Sequence, residues 1–273
     1  VSIEYVIGYD CKVKEAVGGG EDFVRSCTWR LLARTAKREA RRKGLRFSEV
    51  EITHRFVTLD GVEGAVEPLS NLLDEAKKLE ELTGPCADCP ACVLEEILGC
   101  FGTLAYPLSA EAEAWLHDRI TVEVEPWAAR GWRNFWKENR ADPARIALLR
   151  SKGDDFLEGK NAWGLTTLSG GRPLTLNANE LLAALFAAGS LKPTDGLMLL
   201  GLLGALDPEV DPEDEERPVV GVSEMEEVGG PEETLAFDVY PEPYDDPSTC
   251  DLKAYLFSIF FAAALGVELQ VSL

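Results

Sequence analysis

Residues 3–9 form a short, mostly apolar run rich in Ile, Val and Tyr, which predicts a short strand. Gly18-Gly19-Gly20 then reads as a loop, and Glu21 and Asp22 stand where a helix N-terminus favours acids. Val24, Cys27, Leu31 and Leu32 recur at helical spacing and predict a helix over 22–43, stopped by Gly44. Residues 49–59 are rich in β-branched side chains and predict a strand ending at Asp60-Gly61. Leu69, Leu72, Leu73, Ala76 and Leu79 form the inward stripe of an amphipathic helix over 68–82. A short helix is expected over 92–98, before Gly99 breaks it.

Ser109 is a plausible N-cap for a helix that turns Ala112, Trp115 and Leu116 inward. A short strand is expected over 120–124, and Trp127, Trp132, Phe135 and Trp136 read as the core face of an aromatic helix. Two strand-like runs, 163–168 and 172–176, flank Ser169-Gly170-Gly171 and predict a hairpin. Asn177 or Asn179 caps a helix reaching Ala188, and Pro193 opens another reaching Leu206. These two very apolar helices are expected to pack as an antiparallel pair. From Asp207 the composition shifts to an acidic insertion, 207–217. Residues 254–267 are nearly all apolar, but the run is shorter than the roughly 20 residues a bilayer span needs, and it reads as a buried helix.

The pattern adds up to an α+β protein. A small mixed sheet with packed helices and a Cys-rich loop is expected over 1–150, and a mainly helical part with the acidic insertion over 151–273. At 273 residues and 46% hydrophobic the chain can bury a sizeable core. Its formal net charge of −21 opposes binding to nucleic acid and to anionic membranes. Against that background Arg34, Lys37, Arg38, Arg41, Arg42 and Lys43 stand out on the first long helix. They read as a solvated face matching the negative helix end, or as a dock for an acidic surface, either 207–251 or a partner.

The chemistry concentrates in Pro85-Cys86-Ala87-Asp88-Cys89-Pro90-Ala91-Cys92, followed by Cys100. With no export signal in view the compartment reads as cytoplasmic, where thiolates this dense serve a metal or an iron–sulfur cluster rather than disulfides. Cys86 and Cys89 form a Cys-x2-Cys pair, which a tight turn presents on one side of an ion. Cys92 and Cys100 on one continuous helix would have Cα atoms about 12 Å apart, too far for one zinc. Either Gly99 turns the chain back, or one of the two is replaced as ligand by Cys11, Cys27, His54, His117 or Cys250, Cys11 being the preferred substitute. The alternative is a [4Fe–4S] cluster held by Cys86, Cys89, Cys92 and Cys100, since Cys-x2-Cys-x2-Cys also opens ferredoxin-type sites.

The run Cys86-x2-Cys89-Pro90-Ala91, Gly99-Cys100-x-Gly102, Tyr106-Pro107-x-Ser109, Glu113-x-Trp115-Leu116 resembles an uncharacterised bacterial family to which no activity is attached. That family has asparagine where Cys92 stands. The resemblance therefore implies Cys86, Cys89 and Cys100 with one distant ligand, in a closed structural site.

Other chemistry is thinly supplied. The two histidines, His54 and His117, read as structural, and there is no Walker loop and no Gly-x-Ser-x-Gly elbow. The acidic insertion lacks the Gly and Glu positions of a calcium loop. The expectation is a cytoplasmic, zinc-stabilised interaction or scaffold protein with a protein partner. An iron–sulfur redox or sensor protein, and an enzyme with a carboxylate-based site, are the alternatives.

Overall fold

The computed structural model describes residues 1–58, 61–94, 98–120, 123–138, 141–153, 156–157, 163–167, 173–207, 218–221 and 234–273. The chain forms two compact units: Val1–Tyr9 with Gly102–Val271, and Asp10–Phe101 with the last two residues. The division expected near residue 150 falls inside the first of these. The α+β class is as the sequence predicts, with the strands spread over several small sheets.

The chain opens with β1 (Ser2–Ile7) and then enters the smaller unit. A short helix, α1 (Lys12–Val17), precedes the glycine run, where only the long helix was expected. That helix, α2 (Gly20–Lys43), ends as predicted at Gly44, whose φ of 67° lets its N–H reach back to the last carbonyls. A hairpin of β2 (Glu51–Thr58) and β3 (Gly61–Pro68) follows, with Glu51 opposite Pro68. Gly61 and Gly64 interrupt the apolar alternation of β3, so its sequence carries little strand signal.

The amphipathic helix α3 (Leu69–Glu81) packs on α2. Ala33 and Ala40 of α2 leave room for Leu69, Leu72 and Ala76, and Trp29, Ala36 and Leu73 close the edges of this core. Arg30, buried on α2, reaches Glu80 of α3 at 3.3 Å, and Arg34 reaches the same carboxylate at 3.0 Å.

The larger unit resumes with β4 (Phe101–Ala105), which lies beside β1. The backbone N–H of Tyr106 donates to the Val1 carbonyl at 2.8 Å, so the two strands run antiparallel. Ser109 caps α4 (Ala110–Arg119), as its position suggested. β5 (Glu123–Val124) covers the described part of the strand expected over 120–124. Next come α5 (Pro126–Lys137), which buries Trp132 and Phe135, and α6 (Pro143–Arg150). The expected hairpin is present as β6 (Trp163–Thr167) and β7 (Leu174–Leu176), with its turn outside the described residues. β5 adds in parallel to make a three-stranded sheet.

Asn177, rather than Asn179, caps α7 (Ala178–Leu182), and Glu180 completes a capping box before a π-helical turn over Ala183–Ala187. β8 (Ser190–Leu191) then takes the chain to the sheet of β1. This detour is why α8 (Pro193–Leu202) packs mainly on α5 and on the later α9, not as an antiparallel partner of α7.

β9 (Leu206–Asp207) leads to the acidic insertion, of which 208–217 lies outside the described residues. β11 (Thr234–Phe237) pairs with both β9 and β10 (Val219–Gly221) in a small antiparallel sheet.

The apolar C-terminal run is α9 (Pro247–Ala264), which buries Leu252, Tyr255, Leu256, Ile259 and Phe260. Gly196 on α8 lets the two helices approach closely, since a Cβ there would stand 2.8 Å from the Ile259 Cγ2. β12 (Leu269–Ser272) completes a four-stranded sheet of order β4-β1-β12-β8. Among the described residues no helix is long and apolar enough to cross a membrane.

Candidate metal centre

The cysteine loop follows α3 within the smaller unit. Gly84–Asp88 forms a 3₁₀ turn that begins with Pro85 near its N-terminus. Three successive backbone bonds then close three-residue steps: Cys86 N–H to Thr83 O at 2.9 Å, Cys89 N–H to Cys86 O at 3.3 Å, and Cys92 N–H to Cys89 O at 3.0 Å. These tight turns keep the chain folded back on itself and hold Cys86, Cys89 and Cys92 near one another, although the 3₁₀ turn itself ends at Asp88 and Cys89 is extended.

The return of Cys100 settles the geometric problem posed by the sequence. Residues 92–94 are not helical, and 95–97 lie outside the described residues. The Leu94 N–H donates to the Gly99 carbonyl at 3.1 Å, and Leu98 takes a left-handed φ of 71°. The chain doubles back, and Cys100 reaches the other sulfurs. The helix expected over 92–98 loses at its first turn to this reversal, which Leu98 achieves without a glycine at the left-handed position.

Cys92 is the hub: the neighbouring groups of Cys100, Cys86 and Cys89 all favour its ionised form. Cys100, opposed by burial, and then the other neighbours lower the Cys92 thiol to about 6. Burial first and Cys92 second push Cys86 up to about 12. Burial also raises Cys89, while Cys100 is raised by Cys92 and by burial. Cys86 and Cys100 are buried, whereas Cys89 and Cys92 are partly exposed.

Cys11, at the N-cap position of α1, lies within electrostatic reach of Cys86 and Cys89. Cys27, buried on α2, acts on Cys100 in the same way. Lys14 is only 6% exposed, and its charge favours the thiolate of Cys100. Its ammonium also sits 5.6 Å from the centre of the Phe23 ring. Cys27 was among the candidate substitute ligands, but sequence reasoning missed Lys14, because a lysine in a short segment with no helical stripe reads as a surface residue.

The donor set is all sulfur, with one buried cation nearby, and it suits a thiophilic metal. Among the described residues no three His, Cys, Asp or Glu side chains are grouped as they would be around an ion. Taking up a metal therefore requires side-chain rearrangement within the loop.

The remaining sequence candidates lie elsewhere. Cys250 is on the first turn of α9, its thiol facing the Asp245 carbonyl at 4.0 Å. His117 ends α4, 3.2 Å from Asp118 and beside the Trp163 ring, while His54 is part of β2. A cleft of about 600 Å³ in the smaller unit is lined by Trp29, Glu67, Asn71, Asp74 and Lys78, among others, and by no cysteine. Asp251, whose carboxyl is raised by burial and by Asp246, is not part of that cleft.

No family model, curated protein or solved structure matches the chain.

Proposed function

We propose that Cys86, Cys89, Cys92 and Cys100 hold one zinc ion, and that this ion stabilises a cytoplasmic protein whose role is to bind another protein. What carries the reading is the nearness of Cys86, Cys89, Cys92 and Cys100, close enough along this loop for Cys92 to perturb each of the other three thiols. Four ligands around zinc at about 2.3 Å stand about 3.8 Å from one another, so neighbouring thiols need only side-chain rotation to meet on one ion. Lys14 would offset part of the charge of four thiolates. The metal would add to the folding energy of the loop. Thiols at this density persist in a reducing compartment, hence the cytoplasmic placement. The formal charge of −21 favours a protein partner over nucleic acid or an anionic membrane.

The second reading is a [4Fe–4S] redox or sensor protein, favoured by the Cys-x2-Cys-x2-Cys spacing, in which Cys86, Cys89, Cys92 and Cys100 would each ligate one iron.

Elemental analysis of untagged protein separates the two. About one zinc per chain is expected, against several irons with labile sulfide for the alternative. Cys86→Ser or Cys89→Ser should release the metal and lower the Tm by roughly 5–10 °C, while Cys250→Ser changes neither. Metal-free protein, or equal mild effects from all three variants, would defeat the metal reading.

A further inference from the structure

The exposed face of α2 carries more positive charge than its own fold uses. Trp29, Ala33, Ala36 and Ala40 point this helix at α3, which leaves Lys37, Arg38, Arg41 and Arg42 away from that core, with Arg34 at the edge where it turns to Glu80. Arg38, Arg41, Arg42, Lys43 and Arg46 are exposed.

The nearby carboxylates are few. Glu80 takes Arg34 at 3.0 Å, Glu39 takes Lys43 at 3.5 Å and Arg42 at 3.9 Å, and Glu49 takes Arg46 at 3.9 Å. Lys37, Arg38 and Arg41 have no acidic side chain within ion-pair distance among the described residues. Arg34 with Arg38, Lys37 with Arg41, and Arg38 with Arg42 are like charges four residues apart, an arrangement that weakens a helix. The favourable interaction of cations with the helix end is confined to the last turn, so it accounts for Arg41, Arg42 and Lys43 but not for Lys37 or Arg38. In a chain with 48 acidic residues, a face this clear of them is available to an anion from outside.

We propose that this stripe is the docking surface for an acidic polypeptide segment. The inference rests on the interaction role proposed above and gives its partner a chemistry. Arg34 to Arg42 spans about 12 Å of helix, which about four residues of extended chain would cover. Guanidinium forks bind carboxylates in two-pronged pairs, and the stripe is mostly arginine.

Two other anions fit less well. A nucleic acid would meet a chain of net charge −21, and the aromatic rings of this region, Trp29 and Phe47, are packed against the α2–α3 core instead of offering a stacking platform. An anionic bilayer would find Leu45, 48% exposed, as the one large apolar side chain exposed beside the stripe among the described residues.

The test is fluorescence anisotropy of labelled decaglutamate with the full-length chain, alongside labelled decathymidylate and phosphatidylserine vesicles. The chain should bind decaglutamate most tightly, and less so as salt rises. Arg38→Glu with Arg41→Glu should weaken binding about tenfold, with metal content and circular dichroism unchanged. Lys37→Gln with Arg41→Gln provides a milder pair should the reversal disturb folding. Lys77→Glu with Lys78→Glu on α3 makes the same change in net charge and should leave affinity within about twofold. The proposal fails if either stripe pair binds as the parent does, if the α3 pair weakens binding equally, or if decathymidylate or vesicles bind more tightly than the peptide. Because metal content is read in the same samples, a failure here leaves the zinc reading standing, and the converse holds.

Discussion

Lys253 is 2% exposed, and its ammonium is satisfied by Asp245 at 2.8 Å, by Glu242 at 3.7 Å and by the face of Trp115 at 5.2 Å. Removing the cation leaves Asp245 facing an emptied site, so Lys253→Ala should cost at least about 2 kcal/mol in a urea melt. The same pair sets a pH dependence. Burial alone would raise the Asp245 carboxyl, but the Lys253 hydrogen bond, the Glu242 N–H and the Lys253 charge outweigh it and hold the group below its usual value. The folded protein then binds the proton less readily than the unfolded chain. The stabilisation is full above the ordinary carboxylate range and is lost as pH falls from about 4 through the lowered value. Unfolding midpoints measured from pH 6 to pH 3 should fall, and Asp245→Asn, weaker at pH 6, should fall less steeply.

Gly102 makes a second prediction at this scale. A Cβ there would stand 2.3 Å from the Tyr5 ring and hydroxyl, and Tyr5 is 2% exposed. Gly102→Ala should destabilise by about 1–3 kcal/mol through overpacking, seen as a lower denaturation midpoint with an unchanged slope.

Among the elements, the long periodic ones were legible and the short ones were not. α2, α3, α5 and α9 announce themselves through stripes or runs of apolar residues, and the end of α2 through Gly44. The apolar run expected over 254–267 marks only the later part of α9, because its first turns, opened by the Asp246 cap and Pro247, are polar. α1 is six residues long and β3 contains two glycines, so neither rises above its surroundings in the sequence. The packing of α8 was misjudged because adjacency in sequence suggested α7, whereas β8 redirects the chain.

The cysteine loop shows the same limit. The spacing of Cys86, Cys89 and Cys92 is readable because it repeats at the step of a tight turn. The return of Cys100 depends on Leu98 adopting a conformation its residue type disfavours, which no pattern advertises. The neighbourhood of Cys11, Cys27 and Lys14 is tertiary, formed where α1, α2 and the loop meet, and lies beyond any local motif.

For the molecule as a whole, the informative fact is how the chain is threaded. β1 and β4 are antiparallel neighbours, and the smaller unit occupies the sequence between them. In an ordinary hairpin a few residues would make that connection. The cysteine-bearing segment thus occupies the place in the sequence where a turn would be. Cutting it out at residues 10–100 and bridging the two strands with a short glycine-containing turn should yield a shorter protein that still melts in one transition, while the excised piece, made alone, should carry all of the thiol-dependent metal.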